Sequence, residues 1–578
     1  MKNHFTQKLF ASAVMLSAVA FAASADIKIG ETSYTNLNAA VRAVQNGETI
    51  LISGSVDCTW TFNPAPDAKL NFTIEGVGED ATINIKRRGD KTFRLFFNLQ
   101  NANVGLTLKN LTISMVEVEG VTGDAFAGNL IQQQSGTLTM ENVIVKGFTS
   151  TTTSGAIRIQ PNSVSTSFTG ISFENCTTGN GSDVVVVKPD YNLVVGGTCN
   201  FTCQLNENSS YLTADNLSSN SHIKLVLPSG MTGNTVVKGA ENFEMFTVAA
   251  NGTQYILGPQ DGNIVALANN NVLLVQIVEG KTTSSTMANF PKATDFTTGD
   301  NIRILLYKDV NFTSSVSFAG KTIEIAGAKD GVTLKRTTDR YVVNGTTANT
   351  HVTVKNLTLS QSADYQNNFV ILNKATSSVA LHNVAFKNNN VNGALVAQSA
   401  GDLVLDGVTF DNCTSSAGAL VTVGAPGNVT LSGLNEGLSI APTFNIANVT
   451  PINCEGIQKP ENLITVVISE DFINSIPVDT DDESKKCPVI FTNFNHTDPY
   501  DYFTISNTNY TLDYTDGGKN LILITKTASG VEEIEGEEAA DVAPVYYDVN
   551  GVMVPSDALT PGLYICVKGD KASKVVIR

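Results

Sequence analysis

Charge is scarce in this chain. Of its 578 residues only 16% are Asp, Glu, Lys or Arg, there is a single tryptophan, Trp60, and five histidines are thinly spread. No basic cluster exceeds Lys86-Arg87-Arg88. Nucleic-acid binding needs a concentrated basic stripe, so that class of partner is excluded. No segment approaches the roughly 20 apolar residues of a membrane-spanning helix, so no span is expected. The formal charge of −17 keeps the surface soluble and attracts cations weakly, but it names no partner.

The residues of a catalytic site are also missing as a group. Glycoside hydrolysis needs one carboxyl to protonate the leaving oxygen and another to direct water or attack. The one Asp-Asp pair, Asp481-Asp482, lies in the run Asp479-Thr-Asp-Asp-Glu483, outside the repeats described below. Elimination on an acidic glycan needs calcium-binding carboxylates beside an Arg or Lys base. Arg158, in Ile157-Arg-Ile159, is the best candidate base, but its counterpart in the second half is Val396 and no acidic cluster flanks it. It therefore reads as an exposed strand residue. His222, His351, His382 and His496 make no Ser-His-Asp or metal-ligand spacing. His382 precedes Asn383 where the first half has Glu141 before Asn142, an exterior strand position. Glu117, Glu119 and Asp124 read as a solvated loop. No catalytic, cofactor-binding or metal-binding residue is assigned.

What the chain does have is repetition. Leu106-Thr-Leu-Lys-Asn-Leu-Thr-Ile-Ser114 returns as Val352-Thr-Val-Lys-Asn-Leu-Thr-Leu-Ser360, and Phe173-Glu-Asn-Cys-Thr177 as Phe410-Asp-Asn-Cys-Thr414. Gly155-Ala-Ile returns as Gly393-Ala-Leu, and Phe246-Thr-Val as Phe503-Thr-Ile. The body is a tandem duplication. Within each copy alternating apolar and polar residues are broken by Asn or Gly: Gly76, Asn110, Asn142, Gly170 and Gly197, then Gly327, Asn356, Asn383, Gly407 and Gly433. These are the two residues that enter the left-handed backbone region most easily, so each position predicts a tight corner between short strands. Corners 24 to 34 residues apart fit stacked coils whose apolar faces are buried only by stacking. An antiparallel sandwich would place its turns every 8–12 residues. The expected fold is all-β: two tandem right-handed parallel β-helices, with an asparagine ladder along one corner.

The cysteines fit that reading. Cys176 and Cys413 repeat one buried role in the two copies, and Cys58 stands where the second copy has Phe312. Cys199 and Cys203 would lie about 13 Å apart in an extended strand, so a disulfide needs a turn between them.

The ends carry separate messages. Residues 1–25 read as a secretory signal peptide: Lys2 and Lys8, an apolar run from Leu9 to Ala23, then Ala23-Ser-Ala25 for cleavage. Copy one then spans 26–275, copy two 276–527, an acidic linker 528–543 and a small β module 544–578. Leu37, Ala40, Val41 and Val44 form a helical stripe ending before Gly47, and Glu48-Thr-Ile-Leu-Ile starts a strand. The later third of each copy, near 215–275 and 455–527, lacks the corner motif and is expected to pack as antiparallel strands.

Three resemblances follow from these residues. The helix, glycine and strand of 36–52 resemble the N-terminal cap of pectin-lyase-like β-helix proteins. Tyr547-Asp-Val-Asn-Gly551, Pro561-Gly-Leu-Tyr564 and the terminal Val575-Val-Ile577 resemble the C-terminal sorting domains of Bacteroidota secreted proteins. Gly-Ala-Ile and Phe-Glu-Asn-Cys resemble short repeats of polymorphic surface adhesins. The resemblances imply export to the cell surface or beyond and a secretion machine reading 544–578. They also imply a non-catalytic adhesin or glycan binder, with host or microbial glycans or surface proteins as partners. A lyase or hydrolase of acidic glycans and a structural surface component are the alternatives.

Overall fold

The computed structural model describes residues 26–86, 96–116, 128–150, 155–179, 185–249, 254–296, 301–313, 318–442, 450–476, 487–515, 519–525 and 543–577, less positions 66, 208, 425, 549–550, 561 and 569–570. The expected signal peptide at 1–25, nearly all of the expected linker at 528–543, Arg87-Arg88, Glu117, Glu119, Asp124, Asp479–Glu483 and Asn550 lie outside them. The described residues form two compact units divided between Val310 and Asn311. The protein is all-β, with two long sheets rich in parallel pairings and a small separate sheet at its C-terminal end.

In the first unit, strands Thr49–Cys58, Leu70–Lys86, Val104–Val116, Thr137–Lys146, Ser165–Thr169, Asn192–Gly197 and Tyr211–Leu217 each pair in parallel with the next. A further parallel ladder runs through Phe97–Leu99, Ile131–Gln133, Ile157–Ile159, Val185–Val187 and Asn200–Leu205. Alternation along each strand sends every second side chain inward. Ile50, Ile74, Leu108, Met140, Phe168 and Val195 stand in register, one per rung, and none is exposed. Each contributes about 1.5–3 kcal/mol of hydrophobic burial, available only because the next rung covers it.

Eight of the ten expected corners hold left-handed backbone. Asn110, Asn142, Gly170 and Gly197, with Asn356, Asn383, Gly407 and Gly433, have φ between 50° and 66°. Asn142 donates to Asn110 (3.0 Å), Asn110 to Glu75 (3.2 Å) and Asn383 to Asn356 (3.4 Å), which builds the asparagine ladder. Gly76 and Gly327 are different: neither has positive φ. A Cβ there would lie 2.0 Å from the Asn110 carbonyl oxygen and 2.2 Å from that of Asn356, so glycine is needed for close approach to the next rung. A second series of corners sits at Gly147 and Asn175, and at Asn388 and Asn412, with φ from 50° to 65°.

The first unit begins with the hairpin Asp26–Ile29 and Thr32–Tyr34, whose first strand also pairs antiparallel with Thr49–Cys58. The helix Leu37–Ala43 follows that hairpin, capped by Asn36 accepting from the Ala39 amide, with Leu37, Ala40 and Val41 buried. Parallel pairing runs further than the corner residues suggested. It continues to Phe246–Val248 in the first unit and Phe503–Ile505 in the second before antiparallel hairpins take over. Asn216, at φ 53°, is one corner that keeps it going.

The second unit repeats the parallel ladder through Thr322–Gly327, His351–Gln361, Val370–Lys387, Val396–Asp406 and Val429–Ser432. The terminal strands Val545–Tyr547, Met553–Val554, Gly562–Lys568 and Lys571–Ile577 form a four-stranded antiparallel sheet.

Candidate functional site

Arg158 lies in Ile157–Ile159, beside Gln132 on one neighbouring rung and Val186 on the other. It is half-buried rather than exposed, and its Nε is buried without a hydrogen-bond partner among the described residues. Burial, and then the Arg158 charge, pull the Lys188 amine below its ordinary value. Arg158 therefore sits beside another base, with uncharged residues on both neighbouring rungs. Among the described residues, no three of His, Cys, Asp or Glu converge on a metal-sized site.

The histidines are dispersed. His351 contacts Ser378 (2.8 Å) and His382 contacts Asp406 (3.0 Å) on the outer surface. His496 is held between the Ile457 carbonyl (3.0 Å) and the Tyr502 hydroxyl (2.9 Å), stacked on the Tyr502 ring. Cys58 is buried as expected, and burial pushes its thiol up to about 12. Cys176 and Cys413 are half-buried rather than buried, and do share one role. Each thiol has two backbone carbonyls within reach of its single proton, those of Val145 and Glu174 for Cys176 and those of Phe386 and Asp411 for Cys413. Cys203 lies in the extended strand Asn200–Leu205 and Cys199 directly before it, a geometry that keeps the two from bridging.

Among the described histidines, His222 belongs to a concave site. Strands Ser172–Glu174 and Val185–Val187 both stack on Asn200–Leu205, which runs straight where the rung before it turns at Asn175. The mismatch between a cornered rung and a straight one leaves a groove of about 300 Å³, lined by Phe173, Asn175, Cys176, Asn200, Phe201, Thr202, His222, Lys224, Met245 and Thr247. That size is at the lower end of small-molecule sites. Asn200 stacks directly on His222, and Thr202, Lys224 and Thr247 follow one another across three rungs. His222 and Lys224 are two residues apart on one strand, so both point outward, roughly 6.6 Å apart along it. Phe173 is half-buried, and its ring meets Phe201 edge-on at 6.2 Å.

The lining holds two bases, two hydroxyls, two amides, aromatic and thioether surface, and no carboxylate. The acids that flank it in sequence, Glu174 and Glu244, are held by Lys146 (3.1 Å) and Arg303. Such a lining can hold a ligand with an apolar face, hydroxyls and negative charge. It lacks the paired carboxyls that would cleave a glycosidic bond. In sequence His222 is isolated, and only the strand register reveals its neighbours.

No protein-family model, curated protein or solved structure matches the chain.

Proposed function

We propose that this chain is an exported, non-catalytic glycan-binding protein of the cell surface or its surroundings. In this reading each unit is a right-handed parallel β-helix of the pectin-lyase-like kind from a member of the Bacteroidota. Residues 1–25 direct export, and the terminal sheet serves as the sorting module read by a secretion machine. The parallel ladders and the left-handed Asn and Gly corners support the β-helix. The observation that carries the binding function is the groove at Phe173, His222 and Lys224. It combines ring surface with polar donors and has no acid in its lining. A sugar ring presents the matching surface, an apolar face edged by hydroxyls.

The test is a screen of the mature protein, residues 26–578, against immobilised neutral, uronate-bearing and sulfated oligosaccharides, with product analysis of each mixture. Saturable binding without shortened or unsaturated products is expected. Turnover that disappears in Arg158→Ala would replace this reading with a lyase.

A further inference from the structure

The duplication allows the groove to be compared with its counterpart in the second unit, which has the same local construction. Thr409–Asp411 precedes the corner at Asn412, and Thr409 bridges to Glu436 as Ser172 pairs with Asn200. Ile464 pairs with Phe503 and Thr465 with Thr504, as Ile223 pairs with Phe246 and Lys224 with Thr247. The register therefore puts Leu463 at the position of His222, Thr465 at Lys224 and Glu436 at Asn200; Ser439 pairs with Thr465 as Thr202 pairs with Lys224, which puts Leu438 at Phe201 and makes Gly437 an extra residue between them. Both bases are gone and an acid has entered. The Glu436 carboxylate accepts from the Glu461 (2.6 Å) and Asn462 (3.1 Å) amides, so it is pinned in place. Gly437, at φ 63° and with no room for a Cβ beside the Phe410 carbonyl oxygen, takes up the extra residue, and the buried Leu438 stands where the first unit has the Phe201 ring.

The donors in the first unit's groove also have a particular geometry. There is no arginine, whose planar fork pairs with a carboxylate through two parallel bonds. Lys224 offers a compact charge with three rotatable donors, and His222, Asn175, Asn200, Thr202 and Thr247 surround it from several strands. Donors converging from different directions suit a tetrahedral oxyanion better than a planar one.

We propose that the groove at His222 and Lys224 is a subsite for a sugar ring bearing a tetrahedral oxyanion, a sulfate ester or phosphate ester, and that the equivalent surface of the second unit does not bind one. This specificity rests on the glycan-binding reading above.

The test is calorimetric titration of residues 26–578 with four forms of one oligosaccharide: sulfated, phosphorylated, uronate-bearing and uncharged. It is repeated on the double variant His222→Leu, Lys224→Thr, which installs the second unit's residues on an exposed strand and should keep the circular dichroism spectrum and melting temperature. The sulfated or the phosphorylated form should bind at one site per chain, at least about tenfold more tightly than the uncharged form, with affinity falling as salt rises. The double variant should lose that preference. The better of the two esters identifies the natural group. Preference for the uronate form, or an ester preference that survives in the double variant, overturns this specificity and leaves glycan binding standing. Binding of none of the four overturns both.

Discussion

Arg336 offers the sharpest test of how the second unit is held together. Its side chain is fully buried, at the end of Thr333–Arg336, although among the described residues no carboxylate is hydrogen-bonded to it. Its Nη1 donates to the carbonyls of Asn367 (2.8 Å) and Asn368 (2.9 Å), and its Nη2 to Gln361 Oε1 (2.7 Å). The guanidinium lies 4.0 Å from the Phe369 ring centre and 4.9 Å from that of Tyr365. Burial pulls it down to about 10, so it remains charged at neutral pH. The register places Ile85 and Met115 at the matching positions of the first unit, paired as Arg336 is with Gln361. Removing the guanidinium in Arg336→Met leaves two part-buried carbonyls and one buried amide oxygen short of a donor, at about 1–2 kcal/mol each. Loss of the ring contacts adds about 1 kcal/mol. Release from burying a charge offsets part of this, so a net loss of about 2–4 kcal/mol is expected. For a unit of this size that corresponds to a drop in melting temperature of about 5–15 °C. Thermal unfolding followed by circular dichroism measures it, with Arg336→Lys expected to behave similarly because an ammonium cannot span the same acceptors. A buried charge can also be a net burden that an apolar residue relieves. An Arg336→Met protein as stable as the parent, or more so, would show that burden to dominate and refute the reasoning.

Three further outcomes are expected. Gly170→Val and Gly407→Val should each lose on the order of 1–3 kcal/mol in urea unfolding, since both positions have positive φ and a Cβ would lie 2.6 and 2.8 Å from a ladder asparagine oxygen; unchanged midpoints would contradict the corner geometry. Burial pushes Cys58 and Tyr307 up to about 12, so the folded state keeps protons that the unfolded chain releases from about pH 9 upward, and stability should fall progressively as pH rises from about 9 towards 12; melting curves from pH 7 to 11 check the sign, and a rise would contradict it. Deleting 544–578 should leave the melting of the remaining chain unchanged while abolishing delivery to the surface in the native host, and normal delivery would remove the sorting role.

The corners were legible in sequence because one physical demand, positive φ, restricts the alphabet to two residues. The same alphabet also misleads: at Gly76 and Gly327 glycine answers to crowding by the next rung, and the letter is identical. The second series of corners is hidden in sequence because the cysteine of Phe-Glu-Asn-Cys is its most distinctive letter, whereas Asn175 and Asn412 make the turn. The helix at 37–43 was legible from its apolar stripe. Arg336 was not, because in Leu334-Lys-Arg336 the alternation that points residue 336 inward asks for an apolar side chain. His222 and Lys224 were invisible as a site for another reason. Their groove partners lie on strands far away in sequence, and it is the straight strand Asn200–Leu205 meeting a cornered rung that opens the space.

The positions where the two copies disagree are therefore more informative than those where they agree. Agreement falls on residues that the stacked architecture demands, as with Asn110 and Asn356 or Asn142 and Asn383, and says little about what each unit does. Disagreement takes two forms here. Inward, Ile85 and Met115 give way to Arg336 and Gln361, and every new polar group except the Arg336 Nε finds a partner, which marks a change in how the unit is braced. Outward, His222 and Lys224 give way to Leu463, directly before Ile464–Val466, and Thr465 within it, at positions where the core makes no demand. Leu463 is left 40% exposed, although a polar residue there would carry no packing cost. A change that folding does not require, at a position lining a groove in one copy, is better explained by ligand choice than by stability. That is the physical basis for assigning the anion preference to the first unit alone.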